Sequence, residues 1–151
     1  MSAKAINQPH VGTHLSISKG FATAGRDALE IGADTFSVFL RNPRGSRAKA
    51  LNESDIGALQ KLLRDNGFAP LVAHAPYTMN LANPAKEARE FSAGMLAEDL
   101  VRMEYLPGNY YNLHPGGYKS EAGGDNAALA GAIAHVADML NRVLHLALSH
   151  I

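Results

Sequence analysis

The sequence predicts an α/β fold of parallel strands, and three observations predict it. Short β-branched or aromatic runs alternate with longer amphipathic ones, four of each in 151 residues. The chain is 46% hydrophobic and 19% charged, which supports a packed core and argues against disorder. No G-x-G-x-x-G stands at the first strand–helix turn, which weakens a dinucleotide-binding fold. Strand–helix alternation implies right-handed crossovers, and two architectures satisfy it: a doubly wound sheet, or part of a (β/α)8 barrel. A complete barrel needs about 250 residues, so four βα units make about half of one.

Residues 10–15 read as the first strand. Residues 20–31 read as a helix with Phe21, Ala24, Ala28 and Ile31 on one side. Residues 35–40 are β-branched and aromatic, and give the second strand. A Pro/Gly loop covers 41–50. Asn52 then reads as an N-cap with Asp55 three residues on, and Ile56, Leu59 and Leu63 supply the apolar stripe of a helix that stops at Gly67.

The third strand is 71–74. Asn83-Pro84 reads as an N-cap followed by an N1 proline. The long helix that follows has Leu96, Leu100 and Met103 in step and ends at Pro107-Gly108. The fourth strand is 110–114. A glycine-rich loop, 115–124, leads into a last helix striped by Leu129, Ile133, Val136, Leu140 and Val143. No Gly or Pro stops that helix through residue 151. The whole of 1–151 reads as a single partial barrel domain with two open strand edges, a liability for a free monomer.

Fourteen Lys+Arg balance fourteen Asp+Glu. That excludes a polycation but not a local basic patch. The absence of cysteine excludes a disulfide scaffold, a thiolate zinc site and a cysteine nucleophile together. Residues 1–10 lack the apolar run of a secretion signal, and no stretch approaches the ~18 apolar residues of a membrane span. A cytoplasmic protein without a membrane partner is expected. The basic residues cluster at Arg41, Arg44, Arg47 and Lys49, with no acid between Asp34 and Glu53. Such a run is either a solvated loop or a phosphate-contacting one.

Functional residues of parallel α/β folds sit at the carboxyl ends of strands. Here His14, His74 and His114 stand at or near three of the four predicted strand ends. His74 and His114 are forty residues apart, one βα unit, which places them on adjacent strands roughly 5 Å apart at the backbone. Neutral imidazoles so placed can ligate one zinc, although a catalytic zinc usually has three protein ligands and a water. The other reading is a pair of satisfied rim histidines. Each is followed within two residues by proline, which favours a fixed, extended exit from the strand. The role of His14 stays open, support of the ligands being one reading of it, and His10, His135, His145 and His150 read as structural or surface residues.

Four motifs in order carry a resemblance. Gly12-Thr13-His14-Leu15-Ser16 with Gly20, then 39–44 (Phe-Leu-Arg-Asn-Pro-Arg), then 74–82 (His-Ala-Pro-Tyr-Thr-Met-Asn-Leu-Ala), then His114-Pro115-Gly116, resemble the opening half of the endonuclease IV family. These are zinc-dependent apurinic/apyrimidinic endonucleases of base excision repair. The resemblance implies a (β/α)8 TIM barrel, of which this chain supplies the first four βα units. It implies a trinuclear zinc site at the carboxyl face and hydrolysis of DNA 5′ to abasic sites. It matches His74 and His114 to two histidines that hold one zinc. It matches Arg44 and Tyr77 to side chains that enter double-stranded DNA at the lesion while the abasic nucleotide is flipped out.

The sequence also departs from the family. Thr78 stands where an apolar residue is commoner, and Gly117-Tyr118 replaces a Ser-His. The Glu-Asn-Thr motif, whose carboxylate bridges two zincs, is absent, as are the later ligands. No catalytic residue is therefore identified, at most one partial zinc site is expected, and activity of the chain alone is expected to be weak or nil. Two further readings stand beside this one. One is a catalytically dead half-barrel that self-associates or pairs with a carboxyl-terminal half. The other is a sugar isomerase or epimerase of the same barrel superfamily, against which the arginine loop and the 74–82 motif argue. Binding to abasic duplex against binding to an aldose discriminates them.

Overall fold

The computed structural model describes residues 9–118 and 126–148. His150 and most of the expected glycine-rich loop lie outside the described residues. The elements run α1 (Phe21–Glu30), β1 (Ser37–Phe39), α2 (Glu53–Asp65), β2 (Val72–His74), α3 (Lys86–Met103), β3 (Tyr110–Asn112) and α4 (Asn126–Leu148). The strands form one parallel sheet in the order β1-β2-β3, with Phe39 opposite His74 and His74 opposite Asn112.

The expected first strand is reduced to a single parallel bridge between His14 and Ser37. Leu15 N–H donates to the Ser37 carbonyl at 2.8 Å, and Ser37 N–H donates to Thr13 at 3.0 Å. The segment therefore lies in the outer sheet position without extending the ladder. Before the bridge, Val11 bonds Asp34 twice, its N–H donating to the carboxylate at 2.6 Å and its carbonyl accepting the Asp34 N–H at 3.1 Å. Gly12 presses so close that a Cβ there would lie 1.9 Å from the Thr35 carbonyl oxygen.

The helices begin and end for identifiable reasons. The amino terminus of α1 is capped from another helix: Asp55 accepts from Phe21 N–H at 2.6 Å and Ala22 N–H at 3.1 Å. Gly20 (φ +109°) permits that approach, since a Cβ there would meet the Asp55 carboxylate at 2.9 Å. Ile31, expected on the buried side of α1, is instead its exposed C-cap. Asn52 caps α2 by accepting from Asp55 N–H at 3.2 Å. Gly67 (φ +64°) ends it, with Gly67 N–H bonded to Arg64 and Phe68 N–H to Leu63, a Schellman arrangement.

The third helix starts later than Asn83-Pro84. Asn83 accepts from Ala85 N–H at 2.9 Å, and the Arg89 guanidinium takes the Asn83 and Pro84 carbonyls at 2.8 Å each. These bonds hold a turn before the first helical residue, Lys86.

Two hydrophobic clusters form the core. Phe36, Val38, Leu40, Leu71 and Ala73 pack beneath α1 and α2, and Ala75 packs with Met95, Leu96, Met139 and Val143 beneath α3 and α4. Side chains alternate along a strand, so Ser37, Phe39, Val72, His74, Tyr110 and Asn112 point to the opposite face. None of these six belongs to either cluster. The helices thus cover one face of the sheet, and the strand ends present their functional side chains on the other.

The stripe expected on α4 is corrected in part. Ala132, Met139 and Val143 are buried, whereas Leu129 and Ile133 are exposed. The helix packs on α3 through a side narrower than its apolar sequence suggests. Residues 126–145 are also long and apolar enough to cross a membrane by length and composition, contrary to the expectation that no stretch is. Arg142 bonds Glu90 of α3 through both guanidinium Nη atoms, at 2.8 and 2.9 Å. With Met139 and Val143 in the core, that pair accounts for α4 as a helix docked on the protein.

Candidate metal and nucleic-acid site

The register of the sheet assembles the site. His74 ends β2, and His114 lies two residues beyond its partner Asn112, hence on the same face. Their rings are 5.3 Å apart between centroids. The Ala75 carbonyl accepts from His74 Nδ1 at 2.6 Å, which fixes the proton on Nδ1 and leaves the Nε2 lone pair free. Two imidazoles on one tetrahedral zinc, with Zn–N of about 2.0–2.1 Å, have centroids roughly 5 Å apart. The observed separation of the two rings matches that spacing. Among the described residues, no group of three or more His, Asp or Glu is placed to hold a metal ion.

His14 stands at the side of this pair. Its ring lies 6.4 Å from His74 and 4.3 Å from Phe39, and its Nδ1 bonds the Ser37 hydroxyl at 2.9 Å. Burial, and then the neighbouring His74, lower its pKa. Phe39 lies 5.2 Å from both His74 and Tyr77. The sequence alone does not single out this aromatic floor, although the register of two adjacent strands predicts it.

Tyr77 is 67% exposed, with its ring 6.1 Å from His74. Its backbone N–H donates to the Pro43 carbonyl at 2.9 Å, and the Thr78 hydroxyl donates to the Gly45 carbonyl at 3.2 Å. Thr78, a departure from the family pattern, thus ties the tyrosine loop to the arginine loop. Arg44 is exposed between these two anchor points, with its backbone N–H held by Asn42 Oδ1 at 3.0 Å. His74, Tyr77 and Arg44 therefore share one rim.

The basic run is not one surface. Arg41 is buried, 5% exposed, and its Nε donates to Asp99 Oδ1 at 2.9 Å. Burial opposes its charge, but the Asp99 and Glu98 carboxylates outweigh burial and raise its pKa. It is unavailable to phosphate. A cleft of about 900 Å³ beside it is lined by Lys19, Arg47, Lys49 and Arg102. Its single carboxylate, Asp55, is engaged in capping α1.

Asn80 is a further residue that the sequence alone did not assign. Its Nδ2 donates to the Gly117 carbonyl at 2.9 Å, and Ala82 N–H donates to Pro115 at 3.0 Å. Gly116 (φ +99°) makes the approach possible, because a Cβ there would lie 2.0 Å from Asn80 Oδ1. The segment after His114 is thereby fixed to the segment after Tyr77. The signal lay in the 74–82 motif, where Asn80 follows Tyr77 by three residues.

Residues 26–150 match the family described as xylose isomerase-like TIM barrel. The chain is 49% identical over 136 residues to "Probable endonuclease 4" of Akkermansia muciniphila, covering 90% of this chain and 47% of that protein. It is 44% identical over 135 residues to the protein of the same name from Alkaliphilus oremlandii, covering 89% and 46%. Among solved structures, endonuclease IV from Thermus thermophilus superposes with a TM-score of 0.76 at 32% identity, over 92% of this chain and 47% of that one. D-psicose 3-epimerase from Clostridium cellulolyticum superposes with a TM-score of 0.59 at 13% identity, a likeness of fold alone. The chain spans about half the length of the curated relatives it matches.

Proposed function

We propose, for a chain that belongs to the xylose isomerase-like TIM barrel family, that it forms the amino-terminal half of a DNA repair endonuclease of the endonuclease IV type. Such an enzyme hydrolyses the phosphodiester 5′ to an abasic site with zinc. The observation that carries the reading is the rim itself: the His74–His114 pair at 5.3 Å beside an exposed Tyr77 and the Arg44 loop. The names of relatives at 44–49% identity support it. The substrate is double-stranded DNA with abasic sites, and the protein works in the cytoplasm.

His74, through Nε2, and His114 would hold one zinc, which when bound would supply charge for phosphate and a hydroxide nucleophile. The chain's other residues act on the DNA. Tyr77 enters the space a lost base vacates, and Arg44 supplies a planar stack and positive charge to the opened duplex. Lys19, Arg47 and Lys49 attract the backbone without reading sequence. Two histidines do not position a metal cluster, so incision by this chain alone stays near background. The open sheet edges favour self-association, or docking of a carboxyl-terminal half, which light scattering resolves.

The test is binding to a synthetic abasic duplex against an intact one at fixed salt. Tyr77→Ala should erase the abasic preference, and Arg44→Ala should weaken binding to the abasic duplex. An abasic preference that survives Tyr77→Ala, or tighter binding to an aldose than to DNA, refutes the reading.

A further inference from the structure

We infer that Arg41 is a positioning residue for the arginine loop: from inside the core it fixes the 42–47 segment onto α3 and so sets where Arg44 is presented. The use made of the loop rests on the DNA reading above; the clamp rests on the bonds themselves.

The Arg41 side chain is 1% exposed and lies between the sheet and α3. Its donors divide into two sets. Toward α3, Nε donates to Asp99 Oδ1 at 2.9 Å, and Nη2 donates to the Met95 carbonyl and to Glu98 Oε2, each at 3.1 Å. Toward the loop, Nη1 donates to the Ser46 carbonyl at 2.5 Å. The Tyr111 hydroxyl donates to Asp99 Oδ2 at 2.7 Å, so both carboxylate oxygens are engaged. A planar guanidinium spans these acceptors, whereas a lysine ammonium would not.

The loop has little else to hold it. None of residues 42–47 belongs to either hydrophobic cluster. Its internal bonds are Asn42 N–H to Arg47 at 3.0 Å, Gly45 N–H to Asn42 at 3.1 Å and Arg44 N–H to Asn42 Oδ1 at 3.0 Å. Its other ties, Tyr77 N–H to Pro43 and the Thr78 hydroxyl to Gly45, reach a second loop and not the core. Stability alone does not explain a buried ion pair here, because apolar residues of similar volume often serve as well or better. What apolar residues cannot do is hold the Ser46 carbonyl. The bond to Ser46 gives the charge a role that packing leaves unfilled.

Amide hydrogen exchange on the full chain tests the clamp in wild type, Arg41→Lys, the double variant Arg41→Met with Asp99→Leu, and Tyr111→Phe. The Asn42 and Gly45 amides should exchange about tenfold faster or more in the first two variants, the effect of losing one charge-assisted bond. Core amides around Leu59 should keep their protection, and Tyr111→Phe should leave the loop unchanged. Unaltered loop protection in Arg41→Lys and the double variant overturns the inference. So does loss of core protection in step with the loop, which would make the pair a determinant of the fold and not of the loop. In parallel, binding of both Arg41 variants to the abasic duplex should weaken to that of Arg44→Ala. If wild type shows no abasic preference, the DNA reading fails, while the exchange result still decides the clamp.

Discussion

Truncating Asp99 to alanine should be among the most damaging single changes to this chain, and the structure gives the size of the effect. Asp99 is fully buried and Arg41 is 1% exposed, so removing the carboxylate leaves the buried guanidinium with only the largely exposed Glu98 as a carboxylate partner. Breaking a buried pair from one side costs about 3–5 kcal/mol. The Tyr111 hydroxyl loses its acceptor in the same change. For a domain of this size, each kcal/mol moves the melting midpoint by about 2–4 °C, so Asp99→Ala should melt roughly 6–20 °C lower. Tyr111→Phe removes one bond and leaves the pair intact, at a cost of about 1 kcal/mol. Arg41→Met with Asp99→Leu removes both charges and should recover most of the loss. Thermal melts of wild type, these three variants and the singles Arg41→Met and Asp99→Leu, at one fixed protein concentration, close the cycle. Asp99→Ala within about 1 kcal/mol of wild type, or a double variant as damaged as the sum of its singles, would refute the reasoning.

Two further outcomes follow from contacts between helices. Asp55→Ala removes the cap that α2 supplies to Phe21 and Ala22 N–H of α1, and should cost about 1–2 kcal/mol in urea denaturation; Asp55→Asn, which keeps one acceptor oxygen, should cost less. Arg142, chiefly by hydrogen bonding, holds the Glu90 carboxyl below the usual glutamate range, so the pair's contribution is full above that range and is lost as pH falls through the lowered value. Arg142→Ala should therefore differ from wild type at neutral pH and converge with it in acid. A difference that stays constant into acid contradicts the pairing of α3 with α4.

Much of the fold was legible because its signals are local. Asn52 with Asp55 marked one helix start and Gly67 its end, and both positions do what their side chains and backbone freedom dictate. The histidines were legible because strand ends and one-unit spacing fix which side chains meet. What failed to show depends on partners distant in sequence. The segment at 10–15 gives only one bridge, and its start is bonded to the Asp34 side chain, twenty-odd residues on, through the Val11 N–H and His10. Arg41 reads as one more loop cation, because nothing local indicates that Asp99, fifty-eight residues on, waits inside α3. Leu129 and Ile133 follow helical periodicity yet are exposed, since periodicity states which residues share a side but not how much of that side a neighbour covers. Asp55 carried a second role, capping a helix other than its own, that spacing along one chain segment cannot reveal.

The central claim is that His74 and His114 form one zinc-binding pair on the rim that meets DNA. An equilibrium zinc titration of the purified full chain tests it most directly, with His74→Ala and His114→Ala measured beside wild type and far-ultraviolet circular dichroism confirming that each variant is folded. The account predicts at most one weakly held zinc per chain, lost in either variant, because a single imidazole holds zinc poorly. Zinc bound as tightly by both folded variants as by wild type would contradict it.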